Sequence, residues 1–147
     1  MNQILAFLIF LPVLFSTPSI SFTNHTFAIA NQNGDPNYIS SAHNTVTRYS
    51  LAKSNAYLAH YAYAGQHFLE LSVGAIIVSG EQYTVKRIDR YTVSGSNYIN
   101  QATGQVYSEG AVWNMYYLDP RLLILQTCIT VNGDPVGGRL FVVGEGL

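Results

Sequence analysis

Short apolar runs separated by turn-forming residues dominate the second half of the chain. The runs 73–80 and 81–93 lie on either side of a Ser-Gly-Glu turn, and the run 121–131 precedes a turn rich in Gly, Asp and Pro. Within 81–93, Tyr83 and Val85 alternate with polar neighbours at a spacing of two, which is typical of a half-buried strand. The pattern predicts an all-β domain, either a closed barrel or a sandwich.

Other segments complete the predicted order of elements. Residues 65–71 fit one short helical turn, 94–105 read as a long polar connection, and the aromatic run 111–118 is expected to be another strand. A strong turn signal lies at 31–37, and a last strand begins at Arg139.

The first residues form an apolar run, Ile4–Phe15, which is short for a transmembrane helix and fits the hydrophobic region of a signal peptide. The Ser-Ile-Ser triplet at 19–21 fits a small-x-small cleavage site. We therefore expect a signal peptide or short membrane anchor over 1–21 and a folded domain over 22–147. A buried first strand is the alternative. An exported chain would lie outside the cytoplasm, at the cell surface or associated with the membrane.

The composition fits one domain with a substantial core. Of the 147 residues, 48% are hydrophobic and 13% aromatic, which argues against disorder. The net charge is −1 and only 10% of residues are charged, so the basic footprint of a nucleic-acid-binding protein is absent.

Cys128 is the only cysteine, so an internal disulfide is excluded. It stands near the end of the run 121–131, where a rigid strand can present a thiol to a cleft. Arg139 follows eleven positions later, past the turn, and a hairpin would bring its guanidinium near the thiol. There it could bind a carbonyl or an oxyanion and favour the thiolate. The alternative is that Cys128 is a small buried hydrophobe.

A cysteine nucleophile usually works with a histidine. The chain has four histidines, and all of them precede the cysteine: His25, His43, His60 and His67. This order excludes the papain-like arrangement, in which the histidine follows. No His, Cys or acidic residues stand at short regular spacing, and 31–37 does not fit a calcium loop, so no metal or other cofactor is expected.

The cysteine end of the chain resembles the sortases, the cysteine transpeptidases of bacterial surfaces. Their signature is Thr-Leu-x-Thr-Cys at the end of a barrel strand, with an arginine on the next strand. Residues 124–128 read Ile-Leu-Gln-Thr-Cys, and Arg139 opens the last predicted strand. Upstream, His60 ends an apolar run as the catalytic histidine of the family does. Phe68 and Leu71 match the helical turn that follows.

The resemblance covers roughly residues 52–147, and three positions depart from the family pattern. Ile124 stands where the cysteine signature begins with Thr. Ala59 replaces the glycine before the histidine, and Ala75 replaces the aspartate after Gly74. These departures keep open a catalytically inactive, secreted, sortase-like barrel that binds peptides. An L,D-transpeptidase is disfavoured because Cys128 lacks the His-Gly pair that precedes that nucleophile. A plain secreted β-domain without a site is the remaining alternative.

The resemblance implies a single closed β-barrel of about eight strands with one or two short helical turns. It also implies that Cys128 attacks a Leu-Pro-x-Thr-Gly-like sorting signal between Thr and Gly, with Thr127 contacting the substrate. Arg139 would stabilise the oxyanion, and His60 would protonate the departing amine. The implied partners are the sorting-signal peptide and an amine acceptor, on a cell-wall precursor or a pilin subunit. His67 is the alternative proton donor.

Overall fold

The computed structural model of the protein describes residues 17–30, 33 and 35–147. The apolar run Ile4–Phe15, on which the predicted leader depends, lies outside the described residues. The strands are β1 Ser19–Phe22, β2 His25–Ala30, β3 Thr45–Arg48, β4 Asn55–Leu58, β5 Ile76–Ser79, β6 Glu81–Ser94, β7 Asn97–Asn100, β8 Val106–Ser108, β9 Leu122–Val131 and β10 Asp134–Gly146. The helices are α1 Pro36–Ser41, a 3-10 helix Ala64–Glu70 and α2 Glu109–Tyr117.

Eight of these strands close into a barrel. Its order is β9-β4-β3-β2-β1-β5-β6-β10, and β10 closes the ring by pairing with both β6 and β9. The β2–β3 and β4–β9 pairs are parallel, and the other neighbours in the barrel are antiparallel. β7 and β8 continue the sheet outward from β6. The prediction of a closed barrel of about eight strands is therefore confirmed.

Two apolar clusters stabilise the barrel, one inside it and one on its outer face. β9 contributes to both because successive side chains on a strand point to opposite faces. Leu123 and Leu125 belong to the interior cluster, whereas Ile124 belongs to the outer one, together with Val112 and Tyr116 of α2. Burial of each such side chain stabilises the fold by roughly 1.5–3 kcal/mol. The strand that carries Cys128 is thus anchored on both faces.

β6 follows its two-residue period only in part. Tyr83 and Val85 are buried in the interior cluster, as their alternation predicts. The pairing with β10 then shifts by one residue beside Val143, which is a β-bulge. Beyond the bulge the faces are exchanged, so Ile88 packs against the interior cluster and Arg87 lies outside, over the Tyr116 ring.

The expectation of a strand over 111–118 is wrong, because this run forms most of α2. Ser108 caps the helix by accepting a hydrogen bond from the Ala111 N–H at 3.2 Å. Apolar and aromatic residues lie on most sides of α2. The sequence therefore lacks the hydrophobic period of about 3.6 residues by which a helix is normally predicted. The polar connection 94–105 also differs from expectation, because it contains β7.

Residues 19–22 form β1, a strand of the barrel wall. Ile20 is fully buried and pairs with Phe27 of β2. The predicted boundary between 1–21 and 22–147 therefore falls within a strand, and a cut after Ser21 would remove a buried side chain. Over the ranges that the structure describes, no helix has both the length and the apolar composition needed to cross a bilayer.

Candidate active site

Cys128 and Arg139 are brought together by the β9–β10 hairpin. The register of the two antiparallel strands sets Arg139 directly opposite Cys128. Side chains of directly opposed residues lie on the same face, with Cβ atoms about 4.5–5.5 Å apart. Both residues are half-buried and line one cleft on the outside of the barrel. The hairpin inferred from their spacing therefore forms.

His60 reaches the same cleft from the neighbouring strand. β4 runs parallel to β9 with Leu58 beside Gln126. Two residues further along each chain, this register brings His60 level with Cys128. The Ala59 N–H donates to the Gln126 carbonyl at 3.1 Å, so the pairing continues past the end of β4. His60, Cys128 and Arg139 all line the cleft.

Thr127 holds the two segments together from the inside of the barrel. Its hydroxyl donates to the Ala59 carbonyl at 2.8 Å, and the residue is 2% exposed. The side chain is thus engaged with the backbone beside His60. The assignment of Thr127 to substrate binding stays a prediction, and this hydrogen bond favours a positioning role.

Gly65 of the 3-10 helix makes close packing beneath the site feasible. A Cβ atom at this position would lie 2.2 Å from the Thr127 hydroxyl and 2.6 Å from the His60 carbonyl oxygen. The same His60 carbonyl accepts hydrogen bonds from the N–H groups of Tyr63 and Gly65. Only glycine allows the helix to approach the backbone this closely. The predicted helical turn at 65–71 therefore supports the histidine segment.

The cleft has a volume of about 320 Å³ and one wall that the sequence did not reveal. Pro36, Ile39 and Ser40 of the short helix α1 line it opposite the strands. None of the residues of α1 is buried in the core, so no amphipathic pattern marked the helix. Tyr61 and Cys128 also line an adjoining recess of about 340 Å³, which continues past the thiol.

The other histidines lie elsewhere in the structure. His67 is on the 3-10 helix, where its Nδ1 lies 2.8 Å from the Glu70 carboxylate, and it does not line the cleft. His25 is half-buried and contacts the same carboxylate. His43 is exposed, and its ring stacks on Tyr63 at 3.9 Å between centroids. Of the four histidines, His60 is the one that shares the cleft with Cys128.

Solved structures of bacterial sortases have the same architecture. Sortase C from Clostridium perfringens SM101 aligns with a TM-score of 0.58 at 14% identity, over 88% of this chain and 68% of that one. The Group B Streptococcus Pilus Island 1 Sortase C2 gives 0.59 at 13% identity, over 88% and 73%. Sortase C-1 from Actinomyces oris gives 0.58 at 15% identity, over 88% and 71%. The chain has a sortase-like fold.

The likeness is one of three-dimensional structure. No family model matches the sequence, and no curated protein is significantly similar to it. The resemblance that the sequence suggested over residues 52–147 is confirmed at the level of fold, and the structural match extends over 88% of the chain.

Burial dominates the electrostatics of the thiol in this sortase-like barrel. It raises the pKa of Cys128 above its ordinary value, and the Arg139 guanidinium acts in the opposite direction without cancelling it. Asp134 at the start of β10 raises the pKa slightly further. The thiolate is therefore the minor form at neutral pH. Arg139 favours the thiolate, as expected from the sequence, but burial outweighs this effect.

Arg139 and His60 are both oriented by backbone groups. The Nη1 atom of Arg139 donates to the carbonyls of Val136 and Gly138, each at 2.8 Å. These two bonds fix the guanidinium against the hairpin through a single nitrogen. The Ala62 N–H donates to His60 Nδ1 at 3.2 Å, which leaves the proton of the neutral ring on Nε2. The ring also stacks on Tyr61, with centroids 4.5 Å apart.

Proposed function

We propose that this protein is a sortase-like cysteine transpeptidase that cleaves a Leu-Pro-x-Thr-Gly-like sorting signal between Thr and Gly. The observation that supports the proposal is the convergence of Cys128, His60 and Arg139 on one cleft, from three adjacent strand segments of the barrel. A thiol, an imidazole and a guanidinium are the groups that thioester chemistry on a peptide requires.

The proposed reaction begins when the Cys128 thiolate attacks the carbonyl carbon of the threonine in the signal. The carbonyl oxygen becomes an oxyanion, which the Arg139 guanidinium stabilises by charge and hydrogen bonding. The tetrahedral intermediate then collapses and the C–N bond breaks. His60 in its protonated form gives a proton to the departing glycine amine. A thioester between Cys128 and the threonine remains.

The second half of the reaction transfers the acyl group. An amine on a cell-wall precursor or a pilin subunit attacks the thioester carbonyl, and the neutral imidazole of His60 takes a proton from that amine. Collapse of the second intermediate releases the Cys128 thiolate and forms a new amide bond. Water in place of the amine would give hydrolysis.

The residues that line the cleft fit a reaction in which the sorting signal and the incoming amine occupy different sides of Cys128. Ile39, Leu58 and Val136 present apolar side chains next to the three polar groups, which suits the Leu-Pro part of the signal. The adjoining recess past Cys128 is lined by the polar residues Gln101 and Thr130 as well as by Leu69 and Ile129, and we assign it to the incoming amine.

The same proposal places the protein outside the cytoplasm, at the cell surface or attached to the membrane through its N-terminus. A sorting signal and its amine acceptor meet there, and the apolar run Ile4–Phe15 is the sequence feature that supports export.

A sortase-like barrel that binds peptides without catalysis is the second candidate. The observation in its favour is the raised pKa of Cys128, because a protonated thiol is a poor nucleophile. The two candidates differ in one measurable property. The enzyme forms a thioester with the signal peptide, whereas the binding protein retains the intact peptide.

The test is cleavage of a fluorogenic sorting-signal peptide, with mass spectrometry of the acyl-enzyme in the presence and absence of an amine. Cys128→Ala should abolish cleavage, and His60→Ala and Arg139→Ala should each lower kcat/KM by about two orders of magnitude or more. His43→Ala and Arg121→Ala are the matched controls, because these exposed residues do not line the cleft. Cleavage by Cys128→Ala at the wild-type rate would eliminate the mechanism. Binding without cleavage by the wild-type protein would support the second candidate.

A further inference from the structure

Three metal-ligating side chains meet beside the 3-10 helix, and none of them lines the Cys128 cleft. His25 lies at the first position of β2, and His67 and Glu70 lie on the 3-10 helix. His25 Nε2 is 2.8 Å from Glu70 Oε2, and His67 Nδ1 is 2.8 Å from Glu70 Oε1. One donor atom from each residue lies within 4.8 Å of the other two. A single carboxylate thus sits between two imidazole nitrogens.

This donor set matches the coordination chemistry of zinc and similar dications. Two imidazoles and one carboxylate are common protein ligands of Zn²⁺, with the fourth tetrahedral position taken by water. Zn–N and Zn–O bonds of about 2.0–2.1 Å separate adjacent tetrahedral donors by roughly 3.3 Å. The nitrogen–oxygen distances of 2.8 Å are slightly shorter, and each imidazole contacts a different oxygen of Glu70, so the side chains must rearrange within the 4.8 Å cluster to surround one ion.

The two imidazole rings are held in place by aromatic contacts. Their centroids are 3.9 Å apart, and both rings pack against Phe27, at 5.9 Å for His25 and 5.7 Å for His67. Phe27 and Phe22 are buried beneath them. Rings held by aromatic contacts lose little conformational freedom when they bind an ion, and the apolar floor excludes water from one side.

We propose that His25, His67 and Glu70 form a binding site for a transition-metal dication of the Zn²⁺ type, with one coordination position left to water. The ion would join the start of β2 to the 3-10 helix, two elements that are distant in the sequence. Because Gly65 of that helix packs against Thr127 and the His60 carbonyl, the ion would also stabilise the support of the histidine segment. The proposal does not depend on the transpeptidase reaction.

The test is metal binding by the full-length, metal-free protein, measured by calorimetry with Zn²⁺ and by thermal unfolding. If the ion binds the folded state alone, free Zn²⁺ at about one hundred times its Kd should raise Tm by roughly 5–15 °C. His25→Ala, His67→Ala and Glu70→Gln should each weaken binding at least tenfold. Glu70→Gln keeps the size of the side chain and removes the charge of the ligand.

Two controls separate this site from adventitious binding. His43→Ala and Glu81→Gln alter an exposed histidine and an exposed carboxylate away from the cluster, and both should bind Zn²⁺ like the wild type. Co²⁺ should give visible bands typical of a tetrahedral site without sulfur-to-metal charge transfer, and Cys128→Ser should leave those bands unchanged. Stoichiometric binding that survives Glu70→Gln, a thiolate band, or no change in Tm with excess Zn²⁺ would each overturn the proposal. In that case the three residues form an ion-pair cluster only.

Discussion

Replacement of Thr127 by valine tests how the barrel holds its histidine segment next to the cysteine. Valine has nearly the shape of threonine but cannot donate the 2.8 Å hydrogen bond to the Ala59 carbonyl. The site is 2% exposed, so water cannot easily replace the lost partner. A buried carbonyl left without a donor costs about 1–3 kcal/mol. That is a large part of the 5–15 kcal/mol that typically stabilises a domain.

Thr47→Val is a matched control within the same barrel. Thr47 is 1% exposed, and its hydroxyl has no hydrogen-bond partner among the described residues. The same substitution there removes a buried polar group that has no partner, and should be neutral or stabilising. The difference in unfolding free energy between the two variants therefore gives the contribution of the Thr127 hydrogen bond, because both variants carry the same change of threonine to valine.

Urea unfolding followed by fluorescence measures both variants. With m near 2 kcal/mol per molar, Thr127→Val should lower the unfolding midpoint by about 0.5–1.5 M at unchanged m. Thr47→Val should leave the midpoint unchanged or raise it. Peptide cleavage by Thr127→Val should also fall, because Ala59 directly precedes His60. Equal midpoints for the two variants would show that the Thr127 hydroxyl does not stabilise the contact, and the reasoning would fail.

Two further predictions concern the thiol and the N-terminus. Alkylation of Cys128 by iodoacetamide should rise with pH to a midpoint above that of a free cysteine, because burial raises the pKa of this thiol, and Arg139→Ala should move the midpoint higher still. An unchanged or lower midpoint in Arg139→Ala would show that the guanidinium does not act on the thiol. If the exported chain is processed, mass spectrometry should find the first residue at or before Ser19, because Ile20 is fully buried in β1. A stable mature protein that begins at Phe22 would show that β1 is dispensable.

The parts of the fold that the sequence predicted are those with local signals. The turn before β6 and the hairpin of β9 and β10 follow from apolar runs broken by Gly, Asn, Asp and Pro, and both were confirmed. α2 was missed because its apolar residues surround most of the helix. The exchange of faces along β6 was missed because a bulge depends on the partner strand, and β10 follows β6 by some forty residues.

The candidate site likewise contains parts that the sequence predicted and parts that it did not. The Cys128–Arg139 pairing could be predicted from the hairpin, because it needs only one turn and two strands. His60 was identified through the resemblance alone, since its contact with β9 joins residues 68 positions apart. The wall formed by α1 left no local pattern. Of the cluster of His25, His67 and Glu70, only the His67–Glu70 pair is local, at a spacing of three residues, and it was not singled out as a ligand pair. His25 and Glu70 are 45 positions apart, and only the closed barrel brings them together.

The departures from the sortase pattern at Ala59 and Ala75 change the barrel interior and not the reacting groups. Ala59 is 6% exposed and belongs to the interior cluster, and its N–H and carbonyl are paired with Gln126 and Thr127. Alanine adopts such extended backbone as readily as glycine and contributes a buried methyl group. Ala75 also packs against the interior cluster, where β5 begins. Ala59 lines the cleft and removes no polar side chain, and Ala75, which lacks the carboxylate of the family's aspartate, does not line the cleft. The departures are therefore compatible with catalysis, and the strongest physical argument against it is the burial that keeps the Cys128 thiol protonated.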